Sequence, residues 1–103
     1  MSQALRHLMD VDRLIHEPAR LMIVSILAAV ESADFLYLQR ETGLTRGNLS
    51  AHLSKLEAAG YVSIEKTYRG KVPLTLCRLT QAGQAALERY RLQLSSAVLD
   101  RAS

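Results

Sequence analysis

Residues 45–55 read TRGNLSAHLSK, a stretch whose polar side chains suit hydrogen bonding rather than covalent chemistry. Arg46 carries a planar donor fork, Asn48 a paired donor and acceptor, Ser50 and Ser54 short hydroxyls, and Lys55 a mobile ammonium. Leu49, Leu53 and Leu56 recur at i, i+4 and i+7, one stripe of a 3.6-residue helix. With that stripe inward, the outer face holds Arg46, Gly47, Asn48, Ser50, Ala51, Ser54 and Lys55, of which only Ala51 is apolar. A small, hydrogen-bonding helix face fits the major groove of duplex DNA, where bulky side chains would hold the backbone away. There an arginine spans guanine O6 and N7, and an asparagine meets an adenine edge.

A second set of cations follows. Residues 60–80 carry Lys66, Arg69, Lys71 and Arg78 against the single acid Glu65, a net +3, whereas residues 34–59 are neutral and residues 1–33 carry a net −1. Cations beside a groove-reading helix meet phosphates, which give affinity and register rather than sequence choice. For Lys66 and Arg78 a solvated surface charge weighs as much as a contact.

Other chemistries find no support. The one cysteine, Cys77, has no histidine placed to activate it and excludes an intrachain disulfide. Its alternation with Thr75 and Leu79 points it inward, where a thiol is usually inert. Ser50 and Ser54 sit in no nucleophile elbow, and no glycine-rich phosphate loop is present. His7, His16 and His52 are the only imidazoles, and none has metal-ligand spacing to a second donor. Glu41 and Glu57 read as helix surface charges. The expectation is a protein with no catalytic residue, no metal and no cofactor.

The outer face needs elements to hold it. Upstream, DFLYLQRETGL offers a short helix ending at Gly43, and Thr45 is a good N-cap for the helix that follows and closes at Gly60. Residues 34–60 therefore read as a helix-turn-helix. After Gly60 the period changes to two: YVSIEKTY and then Val72 to Thr80 form two strands around Arg69-Gly70-Lys71, a hairpin with a basic tip. Pro73, which cannot donate to a ladder, belongs near that tip or on an edge. Directly after a recognition helix, such a hairpin is a wing, spanning about 61–80. Thr80 caps a last helix over about 81–101, with Gly83, Ala86, Leu87, Tyr90, Leu94, Ala97 and Val98 in one stripe.

Before the helix-turn-helix, Ala4, Leu8, Val11 and Ile15 predict a lead-in helix over 3–15. Pro18 then starts a helix running to about Val30 with two apolar stripes, so it is buried on two sides. At 103 residues and 49% hydrophobic, the chain fits one domain, 1–103, with one core. The stripe of the last helix is longer than that core requires, which assigns it and the lead-in helix to a homodimer interface. No apolar run approaches a membrane span, and MSQALRHLMD lacks the layout of a signal peptide, so a cytoplasmic protein without a membrane partner is expected.

LTRGNLSAHLSKLEAAGYV, the basic hairpin and LTQAGQAAL together resemble the winged helix-turn-helix regulators of the MarR and ArsR type. HEPARLMIVSIL is similar to the helix that opens ArsR-group domains. The resemblance covers about residues 14–90. It implies a mainly α fold with a small β-hairpin, winged helix-turn-helix with N- and C-terminal dimerisation helices. It implies groove reading by Thr45, Arg46, Asn48, Ser50, Ala51, Ser54 and Lys55. It also implies wing contacts from Arg69 and Lys71, flanked by Lys66 and Tyr68, and places His52 at the helix edge between core and groove. The cysteine pairs with which ArsR-type proteins sense metals are missing here. The implied function is a sequence-specific double-stranded DNA-binding transcriptional regulator, homodimeric on a pseudo-palindromic operator. The rival is a winged helix serving as a protein-interaction or dimerisation module without a DNA target. Any small-molecule effector, of unknown identity, would bind at the dimer interface.

Overall fold

Glu17 and Pro18 start the helix around which the core is assembled. The computed structural model describes residues 3–102, with α2 at Pro18–Ala28 following the short helix α1, Gln3–Arg6. The Glu17 carboxylate accepts from the backbone N–H groups of Ala19 (3.2 Å) and Arg20 (2.8 Å), satisfying donors that the first turn leaves open. Ala19, Ile23, Val24 and Leu27 of α2 are buried, and the helix touches α3 (Phe35–Thr42), α4 (Arg46–Ala58), β3 (Val72–Leu79) and α5 (Gln81–Ala102). Ile15, Ile23, Leu27, Leu38, Leu49, Leu56 and Leu87 are sealed from solvent around it.

The lead-in segment departs from the helix expected over 3–15. α1 ends at Arg6, a 3₁₀ turn covers His7–Asp10, and Val11 is extended. Past the break, Asp12 organises a local turn: its Oδ1 accepts from the N–H groups of Leu14 (2.9 Å) and Ile15 (3.3 Å), bonds that compete with a continuous helix. Its Oδ2 accepts from the Tyr61 hydroxyl. Val11 and Ile15 nevertheless reach the core. α2 likewise stops before Val30, which is exposed.

Ala33–Asp34 forms a two-residue strand, β1, too short to leave a periodicity in the sequence. It pairs antiparallel with β3, Ala33 opposite Cys77 and Asp34 opposite Leu76, and the sheet order is β1-β3-β2 with β2 at Val62–Arg69. Asp34 then caps α3 by accepting from Tyr37 N–H at 2.7 Å. Gly43 ends α3 with φ 72°, a conformation that strains any residue with a Cβ. Thr45 Oγ1 caps α4 by accepting from Asn48 N–H at 3.1 Å.

β2 and β3 pair from Val62 opposite Leu79 out to Arg69 opposite Val72, leaving Gly70-Lys71 as the turn. Pro73 lies near the tip, beyond the two β3 residues that β1 pairs. Thr80, directly after β3, joins two helices. Its hydroxyl accepts from Gly83 N–H at 3.0 Å, capping α5, and donates to the Gly60 carbonyl at 2.6 Å behind α4. A Cβ on Gly83 would sit 2.2 Å from the Tyr61 carbonyl oxygen, so only glycine lets α5 lie this close to the root of the wing. Among the described residues, no helix is long and apolar enough to cross a membrane.

Candidate nucleic-acid interface

The leucine stripe decides how α4 is presented. Leu49, Leu53 and Leu56 are buried, so Thr45, Arg46, Gly47, Asn48, Ser50, Ala51, Ser54 and Lys55 all stand exposed. Lys66, Tyr68, Arg69 and Lys71 are exposed on the wing. α4, the start of α3 and the wing enclose an open groove of about 1020 Å³. Arg46, Ser50 and Ser54 border it from α4, and Lys66 and Arg69 border it from β2. Asn48, Ala51, Lys55 and Lys71 are not part of its lining. The expected set is thus split between the groove and the surfaces beside it.

Two cations have partners that the sequence did not reveal. The guanidinium carbon of Arg46 lies 5.6 Å from the centroid of the Phe35 ring, a cation–π arrangement that steadies a long side chain at the groove edge. Arg78 Nη1 donates to Glu65 Oε1 at 3.0 Å across the hairpin, so its charge is matched within the wing. Thr45 uses its oxygen lone pair as the helix cap and keeps its hydroxyl proton to donate. Asp34 and Glu57 are the acidic members of the groove lining.

His52 stands half-buried on the side of α4 that meets the start of α2. Arg20 Nη1 donates to His52 Nδ1 at 3.1 Å, and Arg20 Nε donates to the Leu14 carbonyl at 2.6 Å. Glu17 Oε2 is 3.8 Å from the same Nδ1 and 3.9 Å from Arg20 Nη1. Burial works against the charge on Glu17, yet the backbone donors of Arg20 and Ala19, with the Arg20 guanidinium beside it, hold its carboxyl below the usual range. No signal in the sequence links residues 17, 20 and 52, because α2 and α4 meet only in the fold. His16 Nδ1 shares a 2.7 Å hydrogen bond with the hydroxyl of Tyr90, tying the turn before α2 to α5.

Cys77 is fully buried, and burial, with Glu57 and Asp34 nearby, pushes its thiol up to about 11. It is therefore protonated and a poor nucleophile near neutrality. Among the described residues, no three of His, Cys, Asp and Glu converge as metal ligands would.

The geometry has close counterparts among known proteins. Residues 19–98 match the family model of a winged helix DNA-binding domain. An uncharacterized protein of Methanocaldococcus jannaschii is 34% identical over 79 residues, covering 76% of this chain and 85% of its own. The structure of a transcriptional regulator homologue from Pyrococcus horikoshii OT3 aligns with a TM-score of 0.86 over 99% of both chains, at 29% identity. The transcriptional repressor CouR, solved bound to a 23-mer DNA duplex, shares the fold with a TM-score of 0.70, over 85% of this chain and 66% of its own, at 23% identity. With a family model spanning most of its length, and a helix-turn-helix followed by a two-stranded wing, the chain belongs to the winged helix DNA-binding domain family.

Proposed function

We propose that this protein is a sequence-specific double-stranded DNA-binding transcriptional regulator of the cytoplasm, acting as a homodimer on a pseudo-palindromic operator. The observation that carries the reading is the shared groove: the small polar flank of α4 and the cations of β2 border one concave surface. α4 enters the major groove, with Arg46, Asn48, Ser50, Ala51 and Ser54 toward base edges and Thr45 and Lys55 at the helix margins. Arg69 and Lys71, with Lys66, meet the phosphates of the adjoining groove. CouR, captured on a duplex with the same fold, supports this placement.

The dimer rests on α1 and α5. α5 runs past the core and packs against α1, and Leu5, Leu8, Leu94, Ala97 and Val98 line a small apolar cleft there. Leu92 and Val98 are 63% and 66% exposed, apolar surface that a second copy would cover. Twofold symmetry then sets half-sites about 34 Å apart, one turn of the duplex.

Leu36, Tyr68 and Val72, all exposed, favour the second reading, a protein-interaction module. In-vitro selection from a random duplex pool, with the winner's affinity followed against salt, separates the two. An enriched twofold motif, bound with a slope of several released counterions, carries the regulator. No enrichment, with weak binding lost by physiological salt, carries the module.

A further inference from the structure

We infer that His52 is a contact to the DNA phosphate backbone, made through its Nε2–H, and that Arg20 is the positioning residue that makes this donor available. The inference rests on the DNA-binding reading and deepens it. A guanidinium has donors only, so the nitrogen that Arg20 Nη1 meets at 3.1 Å must be an acceptor. In a neutral imidazole with Nδ1 accepting, the proton sits on Nε2. Arg20 cannot drift from this role, since its Nε is bonded to the Leu14 carbonyl at 2.6 Å.

Among the described residues Nε2 has no hydrogen-bond partner and no buried side-chain nitrogen is left unpaired, so this N–H opens to solvent. His52 follows Asn48 by four residues and precedes Lys55 by three, which puts it on the same flank of α4 as two candidate DNA contacts. That flank faces the start of α2 rather than the centre of the outer face, where Gly47 and Ala51 allow the closest approach. A helix seated in the major groove turns its flanks to the sugar-phosphate walls, and a phosphate oxygen needs only a donor. The nearby Glu17 carboxylate is no obstacle, because two backbone N–H groups and the Arg20 guanidinium beside it offset its charge.

Two substitutions separate the halves of the imidazole. In His52→Asn the amide oxygen takes the place of Nδ1 and keeps the Arg20 bond, but nothing replaces Nε2. In His52→Gln the amide N–H reaches the place of Nε2. On the duplex recovered by selection, His52→Gln should bind within about threefold of the unaltered protein, while His52→Asn loses roughly tenfold per contact. The loss should be the same on an unrelated duplex, because a phosphate contact carries no sequence information. Equal binding by both variants, or equal loss by both, overturns the inference. In the unaltered protein, nitrogen-15 spectra of the imidazole should show the Nε2–H tautomer when free and a hydrogen-bonded Nε2 proton on the duplex. The Nδ1–H tautomer overturns the inference even if neither variant folds. Failure of the unaltered protein to bind any duplex is a different result, since it removes the DNA-binding reading itself.

Discussion

The Phe35 ring lies under the guanidinium of Arg46, 5.6 Å from centroid to carbon, so the first residue of α4 is steadied by the first residue of α3. An arginine that reads a base gains from being held in place before the duplex arrives. Arg46→Ala should therefore relax discrimination at one base position by about 1–3 kcal/mol. Phe35→Leu should weaken discrimination at that same position by about 0.5–1 kcal/mol, the worth of an exposed cation–π contact. Competition among single-base variants of the selected site measures both. An equal loss on every sequence would assign Arg46 to the phosphates instead.

Lys71 sits in the turn at the wing tip, exposed and outside the groove lining. Lys71→Ala should weaken binding to all duplexes alike and reduce the salt slope by about one. A titration across salt concentrations on specific and unrelated duplexes checks it. An unchanged slope would mean the tip does not touch DNA.

Gly47 and Gly83 are both helical, and alanine should act on them in opposite directions. At Gly83 the added Cβ meets the Tyr61 carbonyl oxygen at 2.2 Å and Leu79 Cδ1 at 2.7 Å. Gly83→Ala should lower stability by about 1–3 kcal/mol, as overpacking does. At Gly47 a Cβ meets nothing within 4 Å. Gly47→Ala should raise stability by about 0.5–1 kcal/mol through helix propensity. Because the new methyl lies on the outer face of α4, DNA affinity should fall at the same time. Denaturant midpoints and binding constants for the two variants are the test.

Cys77 gives stability an alkaline limit. Its folded thiol titrates near 11, above the ordinary value of 9.0, so the unfolded chain loses this proton first as pH rises. Stability should hold below pH 9 and fall between 9 and about 11, by an amount on the order of 2 kcal/mol. Tyr61 adds to the fall at higher pH, because its hydrogen bond to Asp12, helped by burial, raises its hydroxyl above the ordinary 10.0. Unfolding free energies measured from pH 7 to 11 should slope less in Cys77→Ala than in the unaltered protein. A matching slope would locate the titration elsewhere.

The α5 surface sets the assembly. Val98→Asp places a charge on an exposed apolar position of the proposed interface. It should convert a dimer into a monomer at micromolar concentration while leaving the helical content intact. Sedimentation velocity reads the change, and a monomer before any substitution would end the dimer proposal.

The helix-turn-helix and the wing were legible because their signals are local. Three leucines at helical spacing, a threonine cap and a glycine in the turn act within a few residues of one another. The alternation of Val62 and Ile64 marks a strand in the same way. What escaped was decided by contacts between distant segments or by single side chains. Asp12 accepts from Leu14 and Ile15 in place of a continued lead-in helix, a local competition that hydrophobic spacing does not register. Ala33 and Asp34 become a strand only because β3 passes alongside. Among the candidate contacts, exposure on α4 followed from the leucines, whereas the Arg46–Phe35 and Arg20–His52 pairings depend on how helices meet.

Thr80 holds the end of the recognition unit and the start of the longest helix with one hydroxyl, and Gly83 presses that helix against Tyr61. This junction works as the pivot of a lever. α5 extends 22 residues from it, about 33 Å at 1.5 Å per residue, so a tilt of about 5° at the pivot displaces the far end by roughly 3 Å. In the proposed dimer that lever arm fixes how far apart two recognition helices stand, and hence which operator spacing the protein accepts. In that dimer the span between half-sites depends on Thr80 and Gly83, which lie outside the proposed DNA contacts.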